Sequence, residues 1–257
     1  MSLESMEPDV APLTPEARPV ARAAAEVYIR HTRSWLVGLL AHGSALKGGY
    51  IPGCSDLDLH LYLTDDAFDA EGRLPLDLGF AIQRELANIP LGPFQYIQCY
   101  PLPTRPRADL SGPAPGAYHM LLGKLPVPEV TADELRASAQ AALTNLRPIP
   151  DYIAKSLLEY GRERLELNAR LICTDVWPLV FHILCLDGRD PITAWRLPKT
   201  EAVPLLPESN AVRESAQTFL TIVRATYASP FTAERYIGVL AAGIAFRETA
   251  LAWYATR

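Results

Sequence analysis

The segment Asp56-Leu57-Asp58-Leu59-His60-Leu61-Tyr62-Leu63 alternates polar and apolar residues. A period of two is that of a β-strand, so the four leucines share one face and Asp56, Asp58, His60 and Tyr62 share the other. The two aspartates are then neighbours, roughly 6–7 Å apart along the strand. Paired carboxylates at a strand start can hold a divalent cation, and hard oxygen ligands suit Mg²⁺. Upstream lies Gly43-Ser44, with eleven residues between Ser44 and Asp56. A glycine lets backbone come close to a phosphate. A helix opening at Ser44 would add free N–H groups and a positive dipole end, and the Ser44 hydroxyl is a further donor. The Gly-Lys-Ser/Thr of a P-loop is missing, so this is a different kind of phosphate cradle.

The order of these features is an apolar strand, Gly43-Ser44, about a dozen residues, then Asp56-Leu57-Asp58-Leu59. It resembles the signature of the polymerase-beta-like nucleotidyltransferases. The resemblance implies transfer of an NMP group from an NTP, ATP in the first instance, to an acceptor hydroxyl. Asp56 and Asp58 would be the catalytic, Mg²⁺-binding residues, and Gly43 and Ser44 would bind nucleotide. The family usually carries a third acidic residue on a later strand, as metal ligand or general base. The corresponding segment, Phe94–Tyr100, has no carboxylate, and Gln95 or Gln98 stands where one is expected. An amide oxygen coordinates Mg²⁺ weakly and cannot take a proton at neutral pH. The alternative is therefore a degenerate nucleotidyltransferase that binds nucleotide without efficient turnover, unless Asp175, Glu163 or Glu166 supplies the missing group.

The elements that must position these residues follow from pattern. Trp35–Ala41 is apolar enough for a buried strand. Ser44–Tyr50 is expected as a short helix, and Pro52-Gly53 turns the chain into the strand Asp56–Leu63. Before them, Thr14-Pro15-Glu16 reads as a helix start, with Thr14 as N-cap, leading into Ala17–Thr32. After them come a helix over Leu76–Asn88, a strand over Pro93–Tyr100, a loop with five prolines from Pro101 to Pro115, and a short strand over Tyr118–Leu122. From Thr131-Ala132-Asp133-Glu134, a capping box, the character is helical. Stretches near Tyr152–Leu167, Asn168–Leu186, Asn210–Tyr227 and Thr232–Tyr254 have the spacing of a bundle. The expected architecture is α+β: a disordered tail over 1–14, a nucleotidyltransferase domain with a mixed sheet over 15–128, and an all-helical substrate-binding domain over 129–257.

This layout is closest to the aminoglycoside nucleotidyltransferases of the streptomycin/spectinomycin adenylyltransferase type. In that type a helix ends at a glycine and a Pro-Lys or Ser-Lys step opens a short helix. Cys185-Leu186-Asp187-Gly188 and Leu197-Pro198-Lys199-Thr200 correspond, with extra residues between them. The resemblance implies that Lys199 reaches the triphosphate and that the acceptor is a small molecule such as an aminoglycoside. A minimal nucleotidyltransferase acting on protein or RNA fits the large helical region less well. His60 shares the face of the aspartates, and its context favours a partly buried, hydrogen-bonded histidine over a catalytic one. Lys47 reads as a surface lysine. Trp35, Trp177, Trp195 and Trp253 read as core or interface, with Trp195 in a loop before Lys199.

Composition bounds the rest. The chain has 257 residues and a formal charge of −5, so net charge implies no nucleic-acid partner. Only four of its 24 cationic side chains are lysines: Lys47, Lys124, Lys155 and Lys199. Cys54, Cys99, Cys173 and Cys185 are scattered without Cys-x-x-Cys or Cys/His spacing, which argues against structural zinc and disulfides. No leader-like apolar region opens the chain, and no run approaches the roughly 20 apolar residues of a membrane span. A cytoplasmic location is the expectation, with no membrane partner.

Overall fold

A computed structural model describes residues 7–105, 112–156, 158–159 and 161–257. The chain divides into two compact units, Met1–Val130 and Thr131–Arg257. The first is α+β, with a four-stranded mixed sheet, and the second is helical.

In the first unit the sheet contains β1 (Leu36–His42), β2 (Leu57–Leu63), β3 (Ile97–Pro103) and β4 (Tyr118–Gly123), in the order β3-β2-β1-β4. β1 runs antiparallel to both β2 and β4, while β2 and β3 are parallel. The helices are α1 (Ala17–Thr32), a single turn α2 (Ser44–Lys47) and α3 (Leu76–Leu86). Leu57, Leu59, Leu61 and Leu63 are all buried and enter one core with Val20, Ala24, Tyr28, Ile82 and Leu86. A slip of one residue in β2 would turn these leucines out and the aspartates in, so burial fixes the register.

Three expectations need correction here. Residues 7–14 are not a loose tail. Val10 and Leu13 are buried, the Asp9 N–H donates to the Leu121 carbonyl at 2.8 Å, and His119 Nε2 lies 3.1 Å from the Asp9 carboxylate. Apolar Val10 and Leu13 outweigh the prolines around them. Residues 1–6 lie outside the described residues. Thr14 is not the cap of α1: its backbone carbonyl receives the Ala17 and Arg18 N–H groups, and Glu16 precedes the helix. The third strand starts at Ile97, not Pro93, and runs on through Pro101 and Pro103. The Leu57 N–H donates to the Tyr96 carbonyl, so the even-numbered residues of β3 aim their backbone groups at β2. Pro101 and Pro103 fall on the outward register of an edge strand, where a missing N–H costs no ladder bond. The expected proline loop over 101–115 is thereby shortened, and its part over 106–111 lies outside the described residues.

In the second unit, α4 (Ala132–Thr144) opens on the full capping box of Thr131 and Glu134. It is followed by α5 (Asp151–Ser156), α6 (Gly161–Leu186), α7 (Pro191–Arg196), α8 (Lys199–Ala202), α9 (Val212–Tyr227) and α10 (Ala233–Ala255). α6 packs against α4 and α10, and α10 against α9. The two helices expected over Tyr152–Leu167 and Asn168–Leu186 divide elsewhere. α5 stops at Ser156, and α6 continues unbroken through Asn168 and Pro178 for 26 residues. Asn168, Ala169, Ile172, Cys173 and Val176 are all buried at helical spacing, and that packing overrides the poor propensity of Asn and Pro. α6 is long and apolar enough to cross a membrane by length and composition, but 61% of its apolar stretch is buried, as in a core helix. The buried Arg247 guanidinium donates to the carbonyls of Arg147 and Pro148 at 2.8–3.2 Å, tying the α4–α5 connection to α10.

Candidate functional site

Asp58 lies on β2 between two partners: His42 across the antiparallel pair and Gln98 across the parallel one. Tyr118 pairs with His42 on the far side. Directly paired residues project from the same face of a sheet. One row across the first unit therefore reads Gln98, Asp58, His42, Tyr118. The next reads Tyr100, His60, Leu40, Met120. Asp56 precedes Leu57 at the entrance to β2, outside the ladder, and is half-buried.

β1 ends at His42, and Gly43 turns the chain with φ 67° and ψ −147°, a conformation open to glycine and strained for any other residue. The turn is tight against the carboxylate. A Cβ built on Gly43 would lie 2.3 Å from Asp58 Oδ2. The Asp58 carboxylate thus fills the place a side chain at residue 43 would take, which only a glycine leaves open. α2 follows, with Ser44 and Ala45 buried. It is one turn, shorter than the expected helix to Tyr50. The Gly43 carbonyl already takes the Leu46 and Lys47 N–H groups at 3.3 and 3.0 Å, and Gly48, at φ 79°, ends it. So short a turn contributes individual N–H groups and little macrodipole.

The two histidines beside Asp58 on this face are uncharged at neutral pH. The rings of His42 and His60 meet edge-on with centroids 4.6 Å apart. Burial, then His60, then the Lys47 ammonium push the His42 pKa down to about 3. Burial alone lowers His60 to about 4. Both imidazoles are therefore neutral. Among the described residues, His42 Nε2 and His60 Nδ1 are buried without a hydrogen-bond partner, whereas His60 was expected to be hydrogen-bonded. Tyr62 and Tyr118 are held protonated, each pushed up to about 12, chiefly by burial.

The third strand settles which glutamine stands beside the pair. Gln98 is the register partner of Asp58, while Gln95 lies before β3. Tyr96 Oη donates to Gln98 Oε1 at 3.4 Å, and Gln98 Nε2 donates to Tyr100 Oη. Tyr96 and Tyr100 were not singled out from the sequence. Their signal was the alternation Tyr96, Gln98, Tyr100, of which Gln98 and Tyr100 share a face of β3 and Tyr96 lies just before it.

Lys199 opens α8 with Pro198 as its N-cap, and Gly188, at φ 87°, follows the end of α6. The Lys199 ammonium lies 4.9 Å from the centre of the Trp177 ring, within cation–π range. Trp195 belongs to the helix α7, not a loop, and packs on Phe181 and His182 at centroid distances of 5.2 and 5.5 Å. The three carboxylates considered as substitutes have other surroundings. Asp175 Oδ2 accepts from Tyr152 Oη and Arg247, Glu166 pairs with Arg162, and Glu163 is exposed in the first turn of α6.

Among the described residues, no group of three or more His, Cys, Asp and Glu is placed to hold a metal ion. Two carboxylates with a glycine cradle beside one of them suit a cation that keeps waters and takes substrate oxygens. That is the habit of Mg²⁺ rather than of a metal enclosed by protein ligands. Compared with known proteins, the chain matches no protein-family model and no curated protein.

The contact at Gly43 yields a measurable contrast with Gly48. Both have positive φ, but a Cβ on Gly48 meets nothing within 4 Å. Gly48→Ala should cost only backbone strain, about 1–2 kcal/mol. Gly43→Ala should cost at least about 1 kcal/mol more in urea unfolding, because overpacking at Asp58 adds to the strain. Equal losses would show that the Asp58 carboxylate moves aside freely.

Proposed function

We propose that the chain is a Mg²⁺-dependent nucleotidyltransferase with a polymerase-beta-like first unit. It moves NMP from an NTP, ATP in the first instance, to a hydroxyl of a small acceptor of the kind aminoglycosides represent. The observation that carries the reading is the Gly43 backbone seated against Asp58, two residues after Asp56 at the entrance to β2. A backbone open to close approach by a phosphate and a pair of nearby carboxylates support this reading.

The reaction has a simple balance. The acceptor oxygen bonds to the α-phosphorus, the bond from that phosphorus to the bridging oxygen breaks, pyrophosphate leaves, and the acceptor proton passes to a base or water. Asp56 and Asp58 would hold Mg²⁺, which supplies charge neutralisation for the triphosphate. Gly43 admits the phosphate to close range, and the Ser44 hydroxyl and first-turn N–H groups donate to it. The resemblance assigns the β/γ-phosphates to Lys199. Such pre-placed donors act chiefly by positioning and electrostatic stabilisation. A cytoplasmic location, with no membrane or nucleic-acid partner, goes with this reading.

A second reading draws on Gln98. The residue beside Asp58 is an amide held at both ends by tyrosines, and it cannot accept a proton. General-base catalysis typically supplies 10²–10⁴-fold, so a protein that binds Mg·NTP and turns over slowly fits this strand.

Three outcomes test the proposal. Asp56→Asn and Asp58→Asn should each abolish Mg²⁺-dependent NTP binding in calorimetry while thermal unfolding stays cooperative; unchanged affinity in both variants would refute it. Lys199→Ala should weaken ATP binding by about 1–3 kcal/mol and AMP binding much less, and equal losses would remove Lys199 from the triphosphate. Gln98→Glu should raise pyrophosphate release over an acceptor panel if the slow reading holds. A wild-type rate already in the ordinary range of about 1–10³ s⁻¹ would show that the proton leaves by another route.

A further inference from the structure

The glycine turn beside Asp58 is too short to hold its own shape. α2 has four residues, Ser44–Lys47, and a single helical turn is not stable alone. Gly43, Gly48 and Gly49 flank it, all at positive φ, and glycine has the most backbone freedom to lose on ordering. The internal hydrogen bonds of the turn end early. The Gly43 carbonyl takes the Leu46 and Lys47 N–H groups, and the Ser44 carbonyl takes that of Gly48. In a continuing α-helix the Ala45 carbonyl would be met by the residue four further on, Gly49, but Gly48 and Gly49 have left helical geometry. A carbonyl stranded at a helix end needs a donor from elsewhere.

That donor comes from the N-terminal segment. The Thr14 N–H donates to the Ala45 carbonyl at 2.9 Å, and the Thr14 carbonyl takes the N–H groups of Ala17 and Arg18. The backbone of one residue thus joins α2 to the start of α1. Thr14 is held in turn by what precedes it. Val10 and Leu13 are buried in the core of this unit, and the Leu13 carbonyl accepts from Arg18 Nε at 2.9 Å. Farther back, the Asp9 N–H donates to the Leu121 carbonyl, and His119 Nε2 lies 3.0 Å from the Asp9 carbonyl. Pro8, Pro12 and Pro15 punctuate the segment and restrict its backbone. The segment is therefore a stiff strap, anchored on β4 at one end and on α2 at the other. The Thr14 hydroxyl takes no part in the tether, because its oxygen is buried without a hydrogen-bond partner.

We propose that residues 9–14 form a strap that positions the Gly43–Gly48 turn for phosphate, with the Thr14 backbone N–H as the positioning group. The proposal rests on the nucleotidyl-transfer reading, because it concerns the turn which that reading assigns to phosphate.

The test uses the full chain as wild type, Val10→Ala, Leu13→Ala and Thr14→Val. Ile82→Ala, a truncation in the same core, is the control for lost packing. Amide hydrogen exchange is followed at Leu46, Lys47 and Gly48 in the ligand-free proteins. Calorimetry then gives the affinities for Mg·ATP and for adenosine, which has no phosphate. Exchange at the turn should speed up about threefold to tenfold in Val10→Ala and Leu13→Ala, the range for one hydrogen bond. Mg·ATP affinity should fall by a similar factor in both, and adenosine affinity should hold. Val10→Ala, the smaller truncation, carries the test if Leu13→Ala does not fold. Thr14→Val keeps the N–H and should match the wild type throughout. Ile82→Ala should lower the unfolding midpoint yet leave Mg·ATP affinity and turn exchange as in the wild type, because the turn exchanges by local opening. Unchanged turn exchange in the strap variants would overturn the proposal alone. So would faster exchange with unchanged Mg·ATP affinity, equal losses for ATP and adenosine, or the same turn effects in Ile82→Ala. A loss in Thr14→Val would hand the role to the hydroxyl and likewise overturn it. Absence of Mg·ATP binding in the wild type would bring down the nucleotidyl-transfer reading and the proposal with it.

Discussion

The close approach of the Gly43 backbone to the Asp58 carboxylate constrains much of the first unit. It requires β1 to end at His42 and the chain to leave the sheet through a positive-φ turn. It requires Asp58 to stand on the face opposite the leucine core, which the burial of Leu57, Leu59, Leu61 and Leu63 enforces. It also places α2 where Ser44 and Ala45 are buried. Sterics at one glycine and burial of four leucines thus specify the same register, and this agreement between local and global preferences is what makes a site rigid.

The sheet face around that carboxylate is lined largely by uncharged side chains. Burial keeps His42 and His60 neutral and Tyr62 and Tyr118 protonated. The charges at this corner are the aspartates and the Lys47 ammonium, which helps to hold His42 neutral. Burial makes the neutral imidazoles beside Asp58 weak bases.

Much of this was legible in the sequence, for identifiable reasons. Period-two alternation exposed the two faces of β2, the glycine after an apolar run exposed the turn, and Thr131 with Glu134 exposed the start of α4. These are local signals. What escaped was set by distant partners. Val10 and Leu13 are fixed by burial, beside an N–H bond from Asp9 to Leu121 far along the chain. β3 continues through two prolines because it is an edge strand, a property of sheet order. α6 runs through Asn168 because its neighbours bury that side. Gln98, rather than Gln95, stands beside Asp58 because of the β2–β3 register, which no spacing within β3 could reveal. The pairing of an amide with two tyrosines had a local signature, alternation along a strand, but its orientation depends on the fold.

The outward prolines of β3 govern which kinds of molecule can dock there. An open sheet edge ordinarily accepts an extended polypeptide by completing the ladder. Here Pro101 and Pro103 sit on the outward register and offer no N–H, leaving only Ile97 and Cys99 to pair, too short a run to hold a strand. The edge is therefore closed to backbone-mediated addition, whether by another protein or by a second copy of this chain, while the side chains of the face beside it remain reachable. The prolines act as a filter that excludes polypeptide backbones and passes compact solutes.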